Sequence, residues 1–123
     1  MAANGRMAAA AAGMALALAA AGGARADMVL DCQVQASRPD HGLTRWKRRI
    51  TIAPNTHRVR IQDDFGRGFV PRSEYAFISL DPRRIVLEQS HGKVSYIDRR
   101  TGEYVLRNEA QRFTIRGRCS GAR

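Results

Sequence analysis

The chain has 123 residues, with 21 Lys and Arg against 11 Asp and Glu, and its formal net charge is +10 at pH 7. This length leaves room for one domain, and the positive charge favours anionic partners, whose association rates such a field raises. Beyond the first 26 residues, no apolar stretch is long enough to cross a membrane as a helix.

The first 26 residues have the pattern of a cleavable signal peptide. A start that contains Arg6 and no acidic residue is followed by an apolar run over 7–21, which is shorter than the roughly 20 residues of a membrane helix. Ala24-Arg25-Ala26 then fits the A-x-A site of signal peptidase. We therefore expect cleavage before Asp27 and a periplasmic or secreted domain without a transmembrane segment.

Cleavage also sets the charge of the mature domain, residues 27–123. Arg6 and Arg25 leave with the leader, so 19 basic residues remain against 11 acidic ones and the net charge is +8. Lys47 and Lys93 are the only lysines. Because a GC-rich genome also produces such an Arg bias, the charge leaves two origins open, a binding surface and genome composition.

The mature domain has two cysteines, Cys32 near its beginning and Cys119 near its end. An exported chain meets oxidising conditions, and a domain this small gains from a covalent link, so we expect a Cys32–Cys119 disulfide. Closing a loop of nearly the whole domain contributes roughly 4 to 5 kcal/mol by chain-entropy arguments. The alternative is a pair of buried free thiols.

Short segments that alternate apolar and polar residues follow one another along the mature chain, with turn residues between them and no sustained helical period. The predicted strands lie within 30–34, 46–52, 58–62, 75–80, 85–89, 93–98, 103–107 and 112–119. Asp81-Pro82-Arg83-Arg84 and Arg99-Arg100-Thr101-Gly102 predict two hairpin turns.

Both cysteines lie in phase with the apolar faces of their strands, Cys32 with Leu30 and Cys119 with Ile115. A bridge between the first and last strands requires a sheet whose ends meet. We therefore predict an all-β fold, a small antiparallel meander barrel of about seven or eight strands, with a two-sheet β-sandwich as the alternative.

The longest predicted loop, residues 63–74, is rich in side chains suited to binding. Phe65 and Phe69 are candidate contact anchors, and Arg67 and Arg72 are candidates for gripping a carboxylate or phosphate. In the alternative interpretation, the two phenylalanines plug an open end of the barrel and the charges face water.

Residues typical of catalysis or metal binding do not form a recognisable pattern. Gly66-Arg67-Gly68 lacks the spacing of a dinucleotide fingerprint, and the adjacent Asp63 and Asp64 would point to opposite faces of a strand. The three histidines, His41, His57 and His91, lack the spacing of metal ligands. No G-x-S-x-G motif is present. We expect no enzyme activity, no cofactor and no metal.

A set of arginines is predicted to face outward from the strands and to bind anions, namely Arg49, Arg58, Arg60, Arg112, Arg116 and Arg118. Candidate partners are lipopolysaccharide, peptidoglycan, acidic lipid or a protein. Nucleic acid is not expected, because the chain is exported. The alternative is an ordinary solvated face.

Three short motifs span most of the mature domain, Leu30-x-Cys32, Ile97-Asp98-Arg99-x-Thr101-Gly102 and Gly117-x-Cys119. In these motifs the chain resembles a group of short, uncharacterised secreted or periplasmic β-domain proteins of alphaproteobacteria. Its plan is similar, more distantly, to the disulfide-linked β-barrels that bacteria use as periplasmic lysozyme inhibitors. The resemblance implies an architecture, and no functional residue is carried over from it.

Together these features predict an exported binding or envelope-associated module with a basic surface that is not an enzyme. Two other functions remain open. One is a periplasmic inhibitor of an exogenous hydrolase, with residues 63–74 as the inserting loop. The other is a carrier with a small-ligand pocket inside the barrel.

Overall fold

The computed structural model describes residues 25–40 and 42–121. This part of the chain is all-β, and none of its segments is a helix long and apolar enough to cross a membrane. The predicted signal peptide lies outside the described residues except for Arg25 and Ala26. The described strands are β1 Met28–Arg38, β2 Gly42–Ala53, β3 Arg58–Asp64, β4 Val70–Ala76, β5 Ser79–Leu80, β6 Arg84–Ser90, β7 Lys93–Asp98, β8 Glu103–Asn108 and β9 Phe113–Ser120.

All the described strands belong to one antiparallel sheet in the order β4-β3-β2-β1-β9-β8-β7-β6-β5. The first described strand, β1, lies at the centre of the sheet, and the chain meanders from it to one edge. It then crosses at Phe77 and Ile78 to the opposite edge and returns strand by strand to the centre. The sheet curls into a half-barrel, so the predicted all-β antiparallel fold is confirmed.

The strand count differs from the prediction at the two edges. The segment predicted as one strand over 75–80 belongs to two strands on opposite edges of the sheet, because β4 ends at Ala76 and β5 begins at Ser79. Part of the predicted loop 63–74 is β4 itself, from Val70 onward. This strand is almost fully exposed and includes Pro71, which an edge strand tolerates, so it lacks the alternation that marks a half-buried strand.

The disulfide links two neighbouring strands at the centre of the sheet. β1 and β9 are neighbours, Cys32 pairs directly with Cys119 in their register, and the two sulfurs are bonded across 87 residues of sequence. Both side chains are buried. The predicted bridge between the first and last strands is therefore confirmed, and the alternative of free thiols is wrong.

The two predicted hairpin turns are also present, and an aspartate organises each of them. Asp81 Oδ1 accepts hydrogen bonds from the backbone N–H groups of Arg83 and Arg84, both at 2.9 Å, between β5 and β6. Asp98 Oδ1 does the same for Arg100 and Thr101 between β7 and β8, at 2.8 and 3.2 Å. These N–H groups favour the charged carboxylates and lower the pKa of both aspartates.

The concave face of the half-barrel divides into two regions. Toward the start of β1, it is filled by fully buried aliphatic side chains, and the hydrophobic effect holds this region together. These residues are Leu30, Ile50, Ile52, Val59, Ile85, Leu87 and Ile97. Toward the end of β1, the concave face carries aromatic and charged side chains around a cavity.

Candidate functional site

The convex face of the three central strands carries two parallel rows of polar side chains. In the register of β2, β1 and β9, each row has a glutamine on β1 between a cation on β2 and a cation on β9. The first row is Arg45, Gln35 and Arg116, and the second is Lys47, Gln33 and Arg118. We call these six residues the basic groove.

The basic groove lines a cavity of about 850 Å³ that is open to solvent. Trp46 and Phe65 stand at its rim on the side of β2, with ring centroids 5.4 Å apart in a stacked arrangement. Gly117 lacks a side chain on the opposite, buried face of the sheet, where a Cβ would come within 2.6 Å of Val34 Cγ1. This glycine therefore lets β1 and β9 approach closely beneath the groove.

Three of the four cations of the basic groove make one weak contact each. Arg45 Nε donates a hydrogen bond to Gln35 Oε1 at 3.3 Å, and Arg118 Nη1 donates to the backbone oxygen of Thr101 at 3.3 Å. Arg116 Nη1 lies 3.5 Å from Glu103 Oε2, and the arginine side chain is 53% exposed. Contacts of this kind at a wet surface contribute about 0 to 1 kcal/mol, so an anionic ligand can replace them.

The six arginines predicted from the sequence are spread over separate parts of the surface. Arg116 and Arg118 lie in the basic groove. Arg49 faces outward on β2, where its Nε lies 2.8 Å from Asp31 Oδ1. Arg58 and Arg60 share Glu74 at 3.6 and 3.5 Å. Arg112 lies in the turn before β9 with a φ of 55°.

Two cations of the basic groove, Arg45 and Lys47, were missed by the sequence prediction. They alternate with Trp46 and Arg48 along β2, so their outward direction follows from simple alternation once the strand is extended back to Gly42. The predicted strand began near Trp46, so Arg45 lay outside it and Lys47 lay at its very beginning.

The candidate binding loop divides its residues between the two faces of the sheet. Phe65 is 63% exposed and stacks on Trp46. Phe69 is half-buried beneath the guanidinium of Arg49, whose Cζ lies 4.2 Å from the ring centroid. Arg67 is exposed in the loop, and Arg72 reaches Asp63 at 3.8 Å.

Asp63 and Asp64 lie on opposite faces, as predicted. Asp64 Oδ1 accepts hydrogen bonds from Gly66 N–H at 2.7 Å and from Gly68 N–H at 3.0 Å, and these bonds lower its pKa. This carboxylate thereby shapes the loop that carries Phe65. Asp63 turns into the half-barrel and is 1% exposed.

Arg48, which the sequence prediction did not single out, makes a bidentate ion pair with Asp63 on the concave face. Its Nε donates to Asp63 Oδ1 at 2.7 Å and its Nη2 donates to Asp63 Oδ2 at 2.9 Å, while Nη1 donates to the hydroxyl of Tyr104 at 2.9 Å. Burial alone would lower the pKa of Arg48, but the hydrogen bond and charge of Asp63 outweigh it and raise that pKa.

A second cavity, of about 430 Å³, opens above this ion pair. We call it the mouth pocket. Its walls come from β1 to β4 and from β6 to β9, and they include Trp46 and Phe65, which therefore stand between the mouth pocket and the basic groove. Tyr75 lies in its wall, and burial together with the charge of Glu88 raises the pKa of this phenol.

The histidines do not come together in the part of the chain that the structure describes. His57 stacks on Phe77 with ring centroids 4.1 Å apart, His91 lies in the turn between β6 and β7, and His41 lies outside the described residues. Among the described residues, no group of His, Cys, Asp and Glu side chains could hold a metal ion.

No known family, no curated protein and no solved structure matches this chain. Inference about function therefore rests on the geometry of the basic groove and the mouth pocket.

Proposed function

We propose that the protein is an exported, non-enzymatic binding module whose basic groove holds an anionic glycan of the cell envelope. The observation that carries this proposal is the pair of cation-glutamine-cation rows across β2, β1 and β9. Lipopolysaccharide and peptidoglycan are the envelope glycans with suitable acidic groups.

The dimensions of the basic groove favour an extended ligand over a single small anion. Neighbouring strands of a sheet lie about 4.8 Å apart, so the cations of one row, two strands apart, are separated by roughly 10 Å at the backbone. Alternate residues along a strand are roughly 7 Å apart, which separates the two rows. A single carboxylate or phosphate can therefore contact one or two of these cations, whereas a polymer can contact all four.

The other residues around the groove favour a sugar polymer over a flat membrane. Gln33 and Gln35 place amide donors and acceptors between the cations, where sugar hydroxyls can hydrogen-bond to them. Phe65 gives the rim an exposed apolar ring against which a sugar face can pack.

The proposed envelope location is supported by the disulfide. Such bonds persist in oxidising compartments, to which the predicted signal peptide would deliver the chain. Two carboxylates also line the groove, Glu103 and Asp64. Glu103 pairs with Arg116 and Asp64 is engaged by loop amides, so both have structural partners.

Cosedimentation of the purified protein tests this proposal. The protein is mixed with peptidoglycan sacculi, with lipopolysaccharide, or with vesicles containing phosphatidylglycerol, at low and at physiological salt. The groove variant is Lys47→Ser with Arg116→Ser and Arg118→Ser. The matched control is Arg58→Ser with Arg60→Ser and Arg83→Ser, which loses the same charge outside the groove.

We expect retention on at least one of the two glycans at physiological salt, loss of retention in the groove variant, and retention in the control. Equal loss in both variants would mean that net charge alone causes the binding, which contradicts a specific groove. Retention on the vesicles alone would assign the surface to acidic lipid and refute the glycan. No retention on any material would refute the proposal and direct the search to the exposed loop around Phe65.

A further inference from the structure

The mouth pocket is a second potential binding site, separated from the basic groove by the wall that carries Trp46 and Phe65. Its volume of about 430 Å³ lies within the range of small-molecule sites, and eight strands contribute to its walls. Because those strands belong to one continuous sheet, with the Cys32–Cys119 bond across its two central strands, the sheet sets most of the walls, and the loop after β3 adds Phe65.

The floor of the mouth pocket is a fixed polar cluster. Arg48 is 6% exposed and Asp63 is 1% exposed, and two hydrogen bonds join them while a third joins Arg48 to Tyr104. A bidentate pair of this kind holds both side chains in one geometry. The floor therefore has a defined shape and little net charge.

The walls above this floor are mainly aromatic and aliphatic. Trp46, Phe65, Tyr104 and Phe113 supply rings, and the aliphatic side chains are Ala36, Ile61, Leu106 and Ile115. Rings and branched aliphatic side chains favour the apolar body of a ligand.

The charges around the pocket favour an anion. Four of the lining residues are cations, Arg38, Arg48, Arg72 and Lys93, against the two acids Asp63 and Glu88. Two of these cations are closely matched by the acids: Arg48 pairs with Asp63, and Lys93 Nζ lies 3.2 Å from Glu88 Oε2.

The other two cations, Arg38 and Arg72, account for the excess positive charge of the pocket. Arg72 is 67% exposed and only 3.8 Å from an Asp63 oxygen that Arg48 already occupies. Arg38 lies over the ring of Phe113, with its Cζ 4.7 Å from the centroid. An acidic group at the pocket opening would therefore meet two guanidinium groups.

Trp46 lines the mouth pocket and carries an unpaired indole N–H. Trp46 Nε1 is buried and has no hydrogen-bond partner among the residues that the structure describes. An unpaired buried donor of this kind costs about 1 to 3 kcal/mol.

We propose that the mouth pocket binds a small amphipathic carboxylate, with its acidic group at Arg38 and Arg72 and its apolar body against the aromatic walls. The ligand is of the class of fatty acids or aryl acids. This site is independent of the glycan groove, and its occupant differs in chemistry and in size.

Trp46 provides the assay, because it is the single tryptophan of the chain and lines the pocket. Its fluorescence is recorded while the purified protein is titrated with dodecanoate, with 1-dodecanol as the uncharged analogue. We expect a saturable change with dodecanoate and weaker binding of 1-dodecanol. Arg72→Gln should weaken dodecanoate binding by up to about fivefold, as for an exposed ion pair, and leave 1-dodecanol unaffected.

Two further variants separate pocket binding from other effects. Ala36→Phe places a ring inside the pocket and should abolish the dodecanoate response, with circular dichroism as the check on folding. The groove variant, Lys47→Ser with Arg116→Ser and Arg118→Ser, should keep its dodecanoate affinity. The two experiments therefore distinguish a failure of the pocket proposal from a failure of the groove proposal.

The proposal is overturned if dodecanoate causes no saturable change up to about 1 mM, the weak end of useful affinity. It is also overturned if 1-dodecanol binds as tightly as dodecanoate, or if folded Ala36→Phe binds as the parent does. Where Ala36→Phe does not fold, Arg72→Gln decides the matter, because Arg72 is exposed and its replacement leaves the core intact.

Discussion

The buried ion pair between Arg48 and Asp63 makes a specific prediction about stability. Replacing Asp63 with Asn keeps the shape of the side chain but removes its charge. One of the two charge-assisted bonds, at 2.7 and 2.9 Å, loses its acceptor, and the other keeps its charged donor but has a neutral acceptor. Arg48 then remains buried without an anion, and Arg72, formerly 3.8 Å from Asp63, adds a second positive charge nearby.

Breaking a buried pair by removing one partner typically costs 3 to 5 kcal/mol, so we expect Asp63→Asn to lower the free energy of unfolding by about 3 kcal/mol. The fluorescence of Trp46 during urea unfolding measures this loss. With a slope near 1.5 kcal/mol per molar urea, the midpoint should fall by about 2 M.

A paired replacement distinguishes the cost of an orphaned charge from the worth of the ion pair. Arg48→Met combined with Asp63→Leu removes both charges together, and we expect its stability to lie within about 1 kcal/mol of the parent or above it. If Asp63→Asn alone costs less than about 1 kcal/mol, water must reach Arg48 in the folded protein, and the account of a fixed polar floor in the mouth pocket is wrong.

Four other predictions follow from the fold. Replacing both Cys32 and Cys119 with Ser should cost about 4.5 kcal/mol, measured by urea unfolding, because the unfolded chain regains a loop of 87 residues; an unchanged midpoint would contradict this. Gly117→Ala should cost more than about 1 kcal/mol, since the new Cβ would overlap Val34; a neutral effect in thermal melting would show that β1 and β9 can separate freely. The pKa of Asp98 is below its ordinary value in the folded state, so the stabilisation from this carboxylate is complete above about pH 4 and is lost as the pH falls through the folded pKa. Asp98→Ala should lower the free energy of unfolding at neutral pH and make it depend less on pH in the acid range. An unchanged dependence in the acid range would contradict the role of Asp98 in this turn. The pKa of Tyr75 is raised in the folded state, so the contribution of its neutral phenol to stability is present below about pH 10 and is lost as the pH rises through the folded pKa. The Tyr75→Phe variant should therefore resist alkaline unfolding, followed by tyrosinate absorbance, better than the parent protein. Equal sensitivity of the two proteins would mean that this phenol is exposed to water.

The sequence predicts those parts of the fold that depend on local patterns. Alternation identifies the half-buried strands, and Pro82 and Gly102 identify the two hairpin turns. The side-chain bonds of Asp81 and Asp98 that hold these turns are seen only in the structure. The phase of Cys32 and Cys119 identifies the pairing of the first and last strands, because a bridge requires both side chains on one face.

The edge of the sheet could not be predicted in the same way. β4 pairs on one side only and is almost fully exposed, so burial imposes no alternation on its residues. Its register also shifts between Ile61 and Gln62 of β3, which displaces Arg72 from the regular pattern. A sequence in which Pro71 is followed by the polar and charged run Arg72-Ser73-Glu74 is typical of a loop and of an edge strand alike.

The candidate site depends on register between strands that are distant in sequence. Arg45 and Arg116 share a row only because β1 lies between β2 and β9, and no local pattern contains this relationship. Arg48 stands between two other basic residues in Lys47-Arg48-Arg49, where alternation puts the middle one inside. Its partner Asp63 could be recognised only from the pairing of β2 with β3.

Chemical-shift mapping of the ¹⁵N-labelled protein with a soluble anionic fragment of peptidoglycan tests the central claim most directly. A glycan in the basic groove should shift the backbone amides of Gln33, Gln35 and Gly117 most, with a saturation curve shared by all three. It should leave the amides of β3 near Arg58 and Arg60 almost unchanged. Shifts confined to the loop around Phe65, or spread evenly over all basic surfaces, would contradict the proposed groove.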